Sequence, residues 1–430
     1  MEILTAGALT TFRQCSKTIQ NMFTTLLLMA LMTATSCQKN DPAPEPEPQP
    51  KFHFSTIAEL THTLDSLAFL QDGTQSEAGL NRLWDTLKAQ KRIPFCVNDS
   101  VLFLYKGSSR PAWAGDFNGW NPESPGWKGE QIGQSNYWKL SKQFPTDARL
   151  DYKVVIGTNW INDPANPNIQ YSGFGPNSFF AMPEWVFPEE TRLWEGVVRG
   201  SLSEKKVIHS QTQNLGYDVA YKVYLPYNYQ DVNNLAVVYV TDGQEYSDDR
   251  LGAMVIVLDN LIFANKIEPI LVVFIDPRDP SSPAINRRMS EYTANPRFAN
   301  FVADELVPVI DSDYKTESLA ERRAILGTSL GGWNSAFFGI RRPDRFRLIG
   351  IHSPAFDNAI LSQYEQSETL PLKIFMSTGT IFDTQERARA MRDILTAKGY
   401  PLSFVEVNQG HSWGNWRELM DEPLLFFFKK

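Results

Sequence analysis

Residues 324–340 read AILGTSLGGWNSAFFGI. The apolar run Ala324-Ile325-Leu326 enters Gly327-Thr328-Ser329-Leu330-Gly331-Gly332, and WNSAFFGIRRP follows with the character of a helix. This is G-x-S-x-G in a strand–turn–helix setting. A serine that must expose its hydroxyl there sits on a sharp, strained turn, so the residues two before and two after it need to lack side chains. The helix that starts at once aims its first amides at negative charge developing beside the serine.

Outward from this turn the chain alternates between two textures. Apolar runs predict strands at 220–226, 236–242, 269–276, 324–327, 348–353, 372–379 and 402–407, with helical patterns between them at 298–311 and 385–399. Apolar strands alternating with amphipathic helices imply a mostly parallel sheet covered on both faces. The expected domain is 200–430.

A serine nucleophile in such a sheet needs an acid and then a histidine later in the chain. The chain has five histidines, His53, His62, His209, His352 and His411. The first three precede Ser329, and His352 leaves no strand between itself and the serine to carry an acid. His411, in QGHSW after the strand LSFVEV, stands where the general base belongs. The acid belongs in the loop after KIFMSTG, which holds Asp383, with Glu386 and Asp357 as runners-up. One oxyanion donor is expected from the Leu330 N–H. The other is expected from the loop Asp242-Gly243-Gln244, where Gly243 permits close approach and the Gln244 N–H is the candidate.

Before this domain the texture differs. Residues 53–92 carry helical spacings at Ile57, Leu60, Leu64 and Leu67, then Leu80, Leu83, Trp84 and Leu87. From 93 to 185, short alternating runs are punctuated by Gly, Pro and Asn, as in a small β-sandwich. Residues 38–52 alternate Pro with acid and read as a stiff spacer. Residues 1–37 have the layout of a secretory signal, with Arg13 and Lys17 before the apolar run from Phe23 to Ala34. That run is too short to cross a membrane as a helix. Of Cys15, Cys37 and Cys96, only Cys37 and Cys96 remain without the leader, so no disulfide framework is expected.

Across 430 residues the formal charge is −8, and 42% hydrophobic with 21% charged residues is an ordinary folded composition. A mildly acidic chain has no field to hold a polyanion, which speaks against nucleic acid. Neither a metal-ligand cluster nor a nucleotide-binding loop appears, so no metal and no cofactor is expected.

Four resemblances add to this reading. DGQEY, Arg288-x-x-Glu291, DELVP, GTSLGG and GHSWGNW together resemble the enterochelin-esterase and feruloyl-esterase group of α/β hydrolases, the esterase D family, over about residues 205–430. The resemblance implies an α/β hydrolase domain in which Ser329 is nucleophile, Asp383 acid and His411 base. In it Arg288 and Glu291 form a helical-face ion pair that braces the pocket or touch substrate themselves, and Trp413 and Trp416 wall the pocket or close that side of the domain. GDFNGW (115–120) and DPANPN (163–168) resemble the early-set immunoglobulin-like module of glycogen-binding carbohydrate modules, which implies Trp120, Trp138 and Trp160 as sugar-stacking candidates or as core. Ala34-Thr35-Ser36-Cys37 resembles a lipobox, implying lipidation of Cys37, and the acidic residues after it resemble the surface-export signals of Bacteroidota lipoproteins.

The expected function is a secreted or surface-anchored serine carboxylesterase without cofactor, hydrolysing feruloyl or acetyl esters on plant polysaccharide and touching the membrane only through a lipid anchor. Alternatives are a siderophore esterase, a non-catalytic glycan-binding lipoprotein, and an acyltransferase, since mycolyltransferases share the scaffold.

Overall fold

A computed structural model describes residues 52–430. The leader, Cys37 and all of the Pro/acid spacer except Phe52 lie outside the described residues.

Two helices come first, α1 (Ile57–Ala68) and α2 (Gly73–Ala89). Thr56 and Glu59 cap α1 reciprocally, the Glu59 N–H donating to Thr56 Oγ1 at 3.1 Å, and Asp72 caps α2 by accepting from the Thr74 and Gln75 amides. Each helix buries the apolar stripe its spacing announces, Leu60 and Leu64 on α1 and Leu80, Leu83, Trp84 and Leu87 on α2.

Nine strands follow: β1 (Phe95–Val97), β2 (Ser100–Lys106), β3 (Ala112–Gly115), β4 (Glu130–Gln131), β5 (Tyr137–Gln143), β6 (Arg149–Ile156), β7 (Asn159–Ile161), β8 (Ile169–Ser172) and β9 (Gly175–Ala181). They form two antiparallel sheets, β1-β2-β5-β4 and β3-β6-β9-β8 with β7 on β6. The period of two in SVLFLYK explains the layering. Leu102 and Leu104 pack with Leu60, Leu83 and Leu87 under the helices, while Val101 and Phe103 pack with Trp113, Tyr152 and Phe180 of the second sheet. DPANPN is a structural turn: Tyr152 donates its hydroxyl to Asp163 at 2.7 Å and Asn166 donates to that hydroxyl at 3.1 Å, all three buried.

The large sheet is built from β10 (Ser201–Leu202), β11 (Lys206–His209), β12 (Asp218–Leu225), β13 (Ala236–Val240), β14 (Ile270–Asp276), β15 (Arg323–Thr328), β16 (Leu348–His352), β17 (Lys373–Gly379) and β18 (Leu402–Val407). Its spatial order is β10-β12-β14-β13-β15-β16-β17-β18, with β11 also on β12; every pair from β14 through β18 is parallel, and β12 is antiparallel to β14. Alternate residues of β13 show the double coverage. Val237 and Tyr239 join one core with Phe298, Leu306 and Phe338, and Val238 and Val240 join the other with Leu258, Leu261 and Trp413.

The helices around this sheet are α3 (Gly243–Tyr246), α4 (Met254–Phe263), α5 (Arg288–Tyr292), α6 (Pro296–Phe301), α7 (Val307–Asp313), α8 (Leu330–Arg341), α9 (Asn358–Gln366), α10 (Gln385–Ala397), α11 (Trp413–Glu418) and α12 (Asp421–Phe428). The single helix expected at 298–311 is α6 and α7 joined by a π turn over Val302–Leu306.

Candidate active site

Ser329 lies between the end of β15 and the start of α8, with φ 58° and ψ −116°. This left-handed backbone is strained for a residue with a side chain, and the surrounding glycines show what enforces it. A Cβ on Gly327 would sit 2.4 Å from both the Gly331 carbonyl oxygen and Thr241 Oγ1, and a Cβ on Gly331 would sit 2.6 Å from that same hydroxyl. The Ser329 N–H donates to the His352 carbonyl at 2.9 Å, and the Ala355 N–H donates to the Ser329 carbonyl at 3.0 Å. The turn is pinned from both sides, which fixes the backbone that carries the hydroxyl.

There it meets His411. His411 Nε2 is 2.9 Å from Ser329 Oγ, and His411 Nδ1 is 2.6 Å from Asp383 Oδ1. The three residues proposed from chain order are thus joined in one hydrogen-bonded series. The other Asp383 oxygen accepts from the Ser353 hydroxyl at 2.6 Å, the Gly379 N–H at 2.5 Å and Asn415 Nδ2 at 3.3 Å. Burial pushes the Asp383 carboxyl up, but the hydrogen bond and charge of His411 with the Ser353 and Gly379 donors outweigh it and hold the group below its ordinary range. The Trp416 ring stands edge-on to the imidazole, centroids 5.0 Å apart at 87°.

The runners-up sit elsewhere. Asp357 caps α9 by accepting from the Ile360 N–H, and Glu386 is exposed in the first turn of α10. His352 is buried below the elbow, its Nδ1 2.8 Å from Ser377 Oγ, and burial pushes its pKa down to about 3.

The two expected oxyanion donors sit in different surroundings. Leu330 N–H, the first amide of α8, has no hydrogen-bond acceptor among the described residues. Gln244 lies within α3 and lines a separate cavity of about 440 Å³; from this turn it is Asp242 and Glu245 that line the cavity of Ser329. The reason is the left-handed backbone of Asp242 (φ 54°), which turns the chain straight into α3, with Gly243 pressed against the backbone of β14 where a Cβ would be 2.4 Å from the Phe274 carbonyl carbon.

Arg288 and Glu291 do not form an ion pair. Arg288 Nε donates to both Asp242 oxygens at 2.9 Å, and its Nη2 donates to the Thr328 carbonyl at 3.2 Å, one residue before the serine. Glu291 is buried, accepting from the Tyr217 hydroxyl at 2.8 Å, and burial pushes its carboxyl up to about 7. The three-residue spacing places the pair on one helical face in principle, but Asp242 and the Thr328 carbonyl take the Arg288 donors and Tyr217 takes Glu291.

Ser329 and His411 open on a cavity of about 630 Å³. Trp413 and Trp416 line it as expected of pocket walls, and the Trp413 indole N–H is fixed by Glu245 at 2.6 Å. The antiparallel region adds Trp120, Lys153, Trp160, Phe174 and Asn177 to the lining. Trp120 and Trp160 therefore face the same space as the serine rather than a surface of their own. Trp138 does not; it is buried in β5 with its indole N–H donated to the Gly107 carbonyl at 2.8 Å. Phe174, fully exposed at the tip of the β8–β9 hairpin, was not legible as a site residue, since a lone Phe between glycines carries no pattern. Among the described residues no group of three or more His, Cys, Asp or Glu is arranged to hold a metal ion.

The family profile described as "Putative esterase" matches residues 212–427, half of the chain. The chain is 27% identical over 240 residues to the uncharacterized protein YjcH of Bacillus subtilis, covering 52% of this chain and 96% of that protein. It is 27% identical over 314 residues to the endo-1,4-beta-xylanase/feruloyl esterase of Xylanibacter ruminicola, covering 69% of this chain and 40% of that protein. Among solved structures, the enterobactin esterase FES from Shigella flexneri superposes with a TM-score of 0.62 at 18% identity, over 76% of this chain and 92% of that one. The ferric enterobactin esterase of Salmonella typhimurium gives 0.64 at 17% identity, over 76% and 93%. At such identities the likeness speaks to fold alone, and its span exceeds residues 200–430, so it reaches into the antiparallel sheets. By its profile match the chain belongs to this esterase family, hydrolases of ester bonds, and it carries the α/β hydrolase fold.

Proposed function

We propose that the protein is a serine carboxylesterase whose nucleophile, base and acid are Ser329, His411 and Asp383. The observation that carries this reading is the continuous series Ser329–His411–Asp383 at 2.9 and 2.6 Å, at the mouth of a cavity. His411 Nε2 takes the Ser329 proton as Oγ attacks the ester carbonyl, and Asp383 holds the tautomer and balances the imidazolium. The oxyanion is held by the Leu330 N–H, a donor of a kind that typically contributes about 3 kcal/mol. The alcohol leaves with the proton from His411, an acyl-serine remains, and His411 then deprotonates water to release the acid.

For substrate, the reading is a feruloyl or acetyl ester on plant polysaccharide. Four aromatic rings of two origins, Trp413 and Trp416 from the hydrolase domain and Trp120 and Trp160 from the antiparallel region, suit ring-bearing ligands. The relative whose name includes feruloyl esterase supports the same class. Against a siderophore, the lining sets Lys153 and Arg288 against Asp151, Asp242 and Glu245, which leaves no cationic excess for an anionic catecholate. The proposal includes export and a lipid on Cys37, so that the enzyme works at the cell surface, with the immunoglobulin-like reading of residues 93–185 as part of it.

Ser329→Ala assayed with p-nitrophenyl acetate tests the mechanism: turnover should vanish, and retention of most wild-type activity would overturn it. Methyl ferulate, acetylated xylan and a catechol siderophore, offered in parallel, test the substrate. Release of ferulate or acetate with the siderophore intact is expected; the reverse outcome refutes the polysaccharide reading.

A further inference from the structure

We propose that the antiparallel β-region is a positioning element for the catalytic acid and base, acting through Asp116, Arg149 and Asp151, which lie directly beneath the loop that carries His411. The inference rests on the reading of His411 as base and goes beyond it, because none of these three side chains touches the serine.

The three side chains form one buried group. Arg149 Nη1 donates to Asp151 Oδ1 at 2.7 Å, and both side chains are almost wholly buried. Asp116 accepts from the Asp151 N–H at 2.9 Å and from the Trp120 indole at 3.2 Å. Arg149 Nη2 donates to Gln170 at 3.3 Å, and its guanidinium lies 4.2 Å over the Phe179 ring. Burial raises both carboxyl groups, with Asp151 adding to the effect on Asp116 and Arg149 opposing it. Such a group is a costly way to hold a fold together, since apolar side chains of similar volume often do it at least as well. Its placement gives it a use.

The His411 loop rests on it through two glycines. A Cβ on Gly410 would lie 2.3 Å from Asp116 Cβ, and a Cβ on Gly414 would lie 1.7 Å from Arg149 Nη1. Residues one before and three after the base therefore lay bare backbone on the charged group. Gln409 also forms a bridge with Arg149, and Asn408 Nδ2 donates to Asp147 at 2.7 Å. The acid loop is seated on the same region. Ile381 packs into the core of Phe103 and Phe117, and the Phe382 ring comes to 3.5 Å from where a Gly119 Cβ would be. Asp383 and His411 follow different strands of the large sheet, β17 and β18, yet both loops are fixed by one body outside it.

The test uses the full chain with Arg149→Lys and Gly414→Ala. The lysine keeps a cation for Asp151 and so avoids an uncompensated buried carboxylate, but it lacks the planar fork under Gly414. The alanine pushes the loop off the guanidinium. Active sites are counted by labelling Ser329 with a fluorophosphonate, and kcat and KM for p-nitrophenyl acetate are measured per labelled site. Misplacement by about 1 Å costs on the order of 100-fold in rate, so each variant should lose kcat by about tenfold or more while KM changes less than about twofold. Unchanged kcat per labelled site, whatever the loss in thermal stability, would show a merely structural group and overturn the proposal. If one variant does not fold, the other gives the same ratio. A wild type that neither labels nor turns over removes the esterase reading itself, a result distinct from equal kcat in variant and wild type.

Discussion

Replacing Asp383 by Asn alters one atom of the site and has a consequence that follows from its hydrogen bonds. Asp383 Oδ2 accepts from three donors, the Ser353 hydroxyl, the Gly379 N–H and Asn415 Nδ2. An amide nitrogen there would face three donors, so in Asp383→Asn the carbonyl oxygen takes that position and the NH₂ turns to His411. His411 Nδ1, 2.6 Å away, must then accept rather than donate, which moves the ring proton to Nε2. A protonated Nε2 cannot take the Ser329 proton. In serine hydrolases this wrong tautomer costs about 10⁴ in kcat, equivalent to roughly 5 kcal/mol of activation free energy. Hydrolysis of p-nitrophenyl acetate by purified, folded Asp383→Asn should fall by three to four orders of magnitude, about that amount. A loss under about tenfold would refute the reasoning, because it would mean that the carboxylate does not set the tautomer. The substitution also has a signature in stability. With its folded pKa held below the usual range, the carboxylate contributes stability above its unfolded pKa, lost as pH falls through the folded value. In urea titrations the wild type should lose its stability advantage over the variant as pH falls from about 6 through and below the ordinary carboxylate range.

Gly327→Ala should destabilise the protein by about 3 kcal/mol in urea unfolding and abolish turnover, because the added methyl meets a carbonyl and a hydroxyl that the strand cannot move away from; wild-type stability would refute the packing account. Glu291, raised by burial to about 7, makes the fold lose stability as pH rises from about 4.5 to 7, by a few kcal/mol in all. Glu291→Gln should remove that slope, and equal slopes in the two proteins would count against it. Trp160→Ala should raise KM for a feruloylated oligosaccharide about fivefold, about 1 kcal/mol of lost stacking, and leave p-nitrophenyl acetate unaffected; a loss on both substrates would mean that the ring shapes the catalytic centre instead.

The parallel sheet and the elbow were legible because their signals are local. Val237 to Val240 and Leu348 to Ile351 are apolar runs that only a sheet buried on both faces accommodates. Gly327 and Gly331 bracket Ser329 at the spacing that the turn requires. Asp383 and His411 could be read from chain order, since each follows its strand with little room for alternatives. Partner choice was not legible. Arg288 reaches Asp242 rather than Glu291, because Asp242 turns through φ 54° into its path, and a backbone turn of this kind leaves no mark in side-chain spacing. The edge strands β10 and β11 were missed since half-exposed runs such as Lys206–His209 lack an apolar signal. The role of the β-region's tryptophans was hidden for a different reason. Composition identifies Trp120, Trp138 and Trp160 as equals, and only tertiary packing places two in the cavity and one in the core.

That sorting bears on what the antiparallel sheets are for. An accessory module joined by a linker would present its ligand groups on a free face and leave the catalytic cavity closed by the hydrolase domain alone. Here Trp120, Lys153, Trp160, Phe174 and Asn177 complete the cavity of Ser329. The same strands lay Arg149 and Asp116 against Gly414 and Gly410, where any side chain would force the two apart. Contact of this kind, backbone against buried charge, has no slack for the independent motion of two domains. One body thus carries two demands that are usually divided: it shapes the space a substrate enters and it fixes the loop from which the proton is moved. A change in the β-region that alters substrate preference should then carry a change in rate, unless its side chain, like that of Trp160, makes no hydrogen bond to Asp116, Arg149 or Asp151.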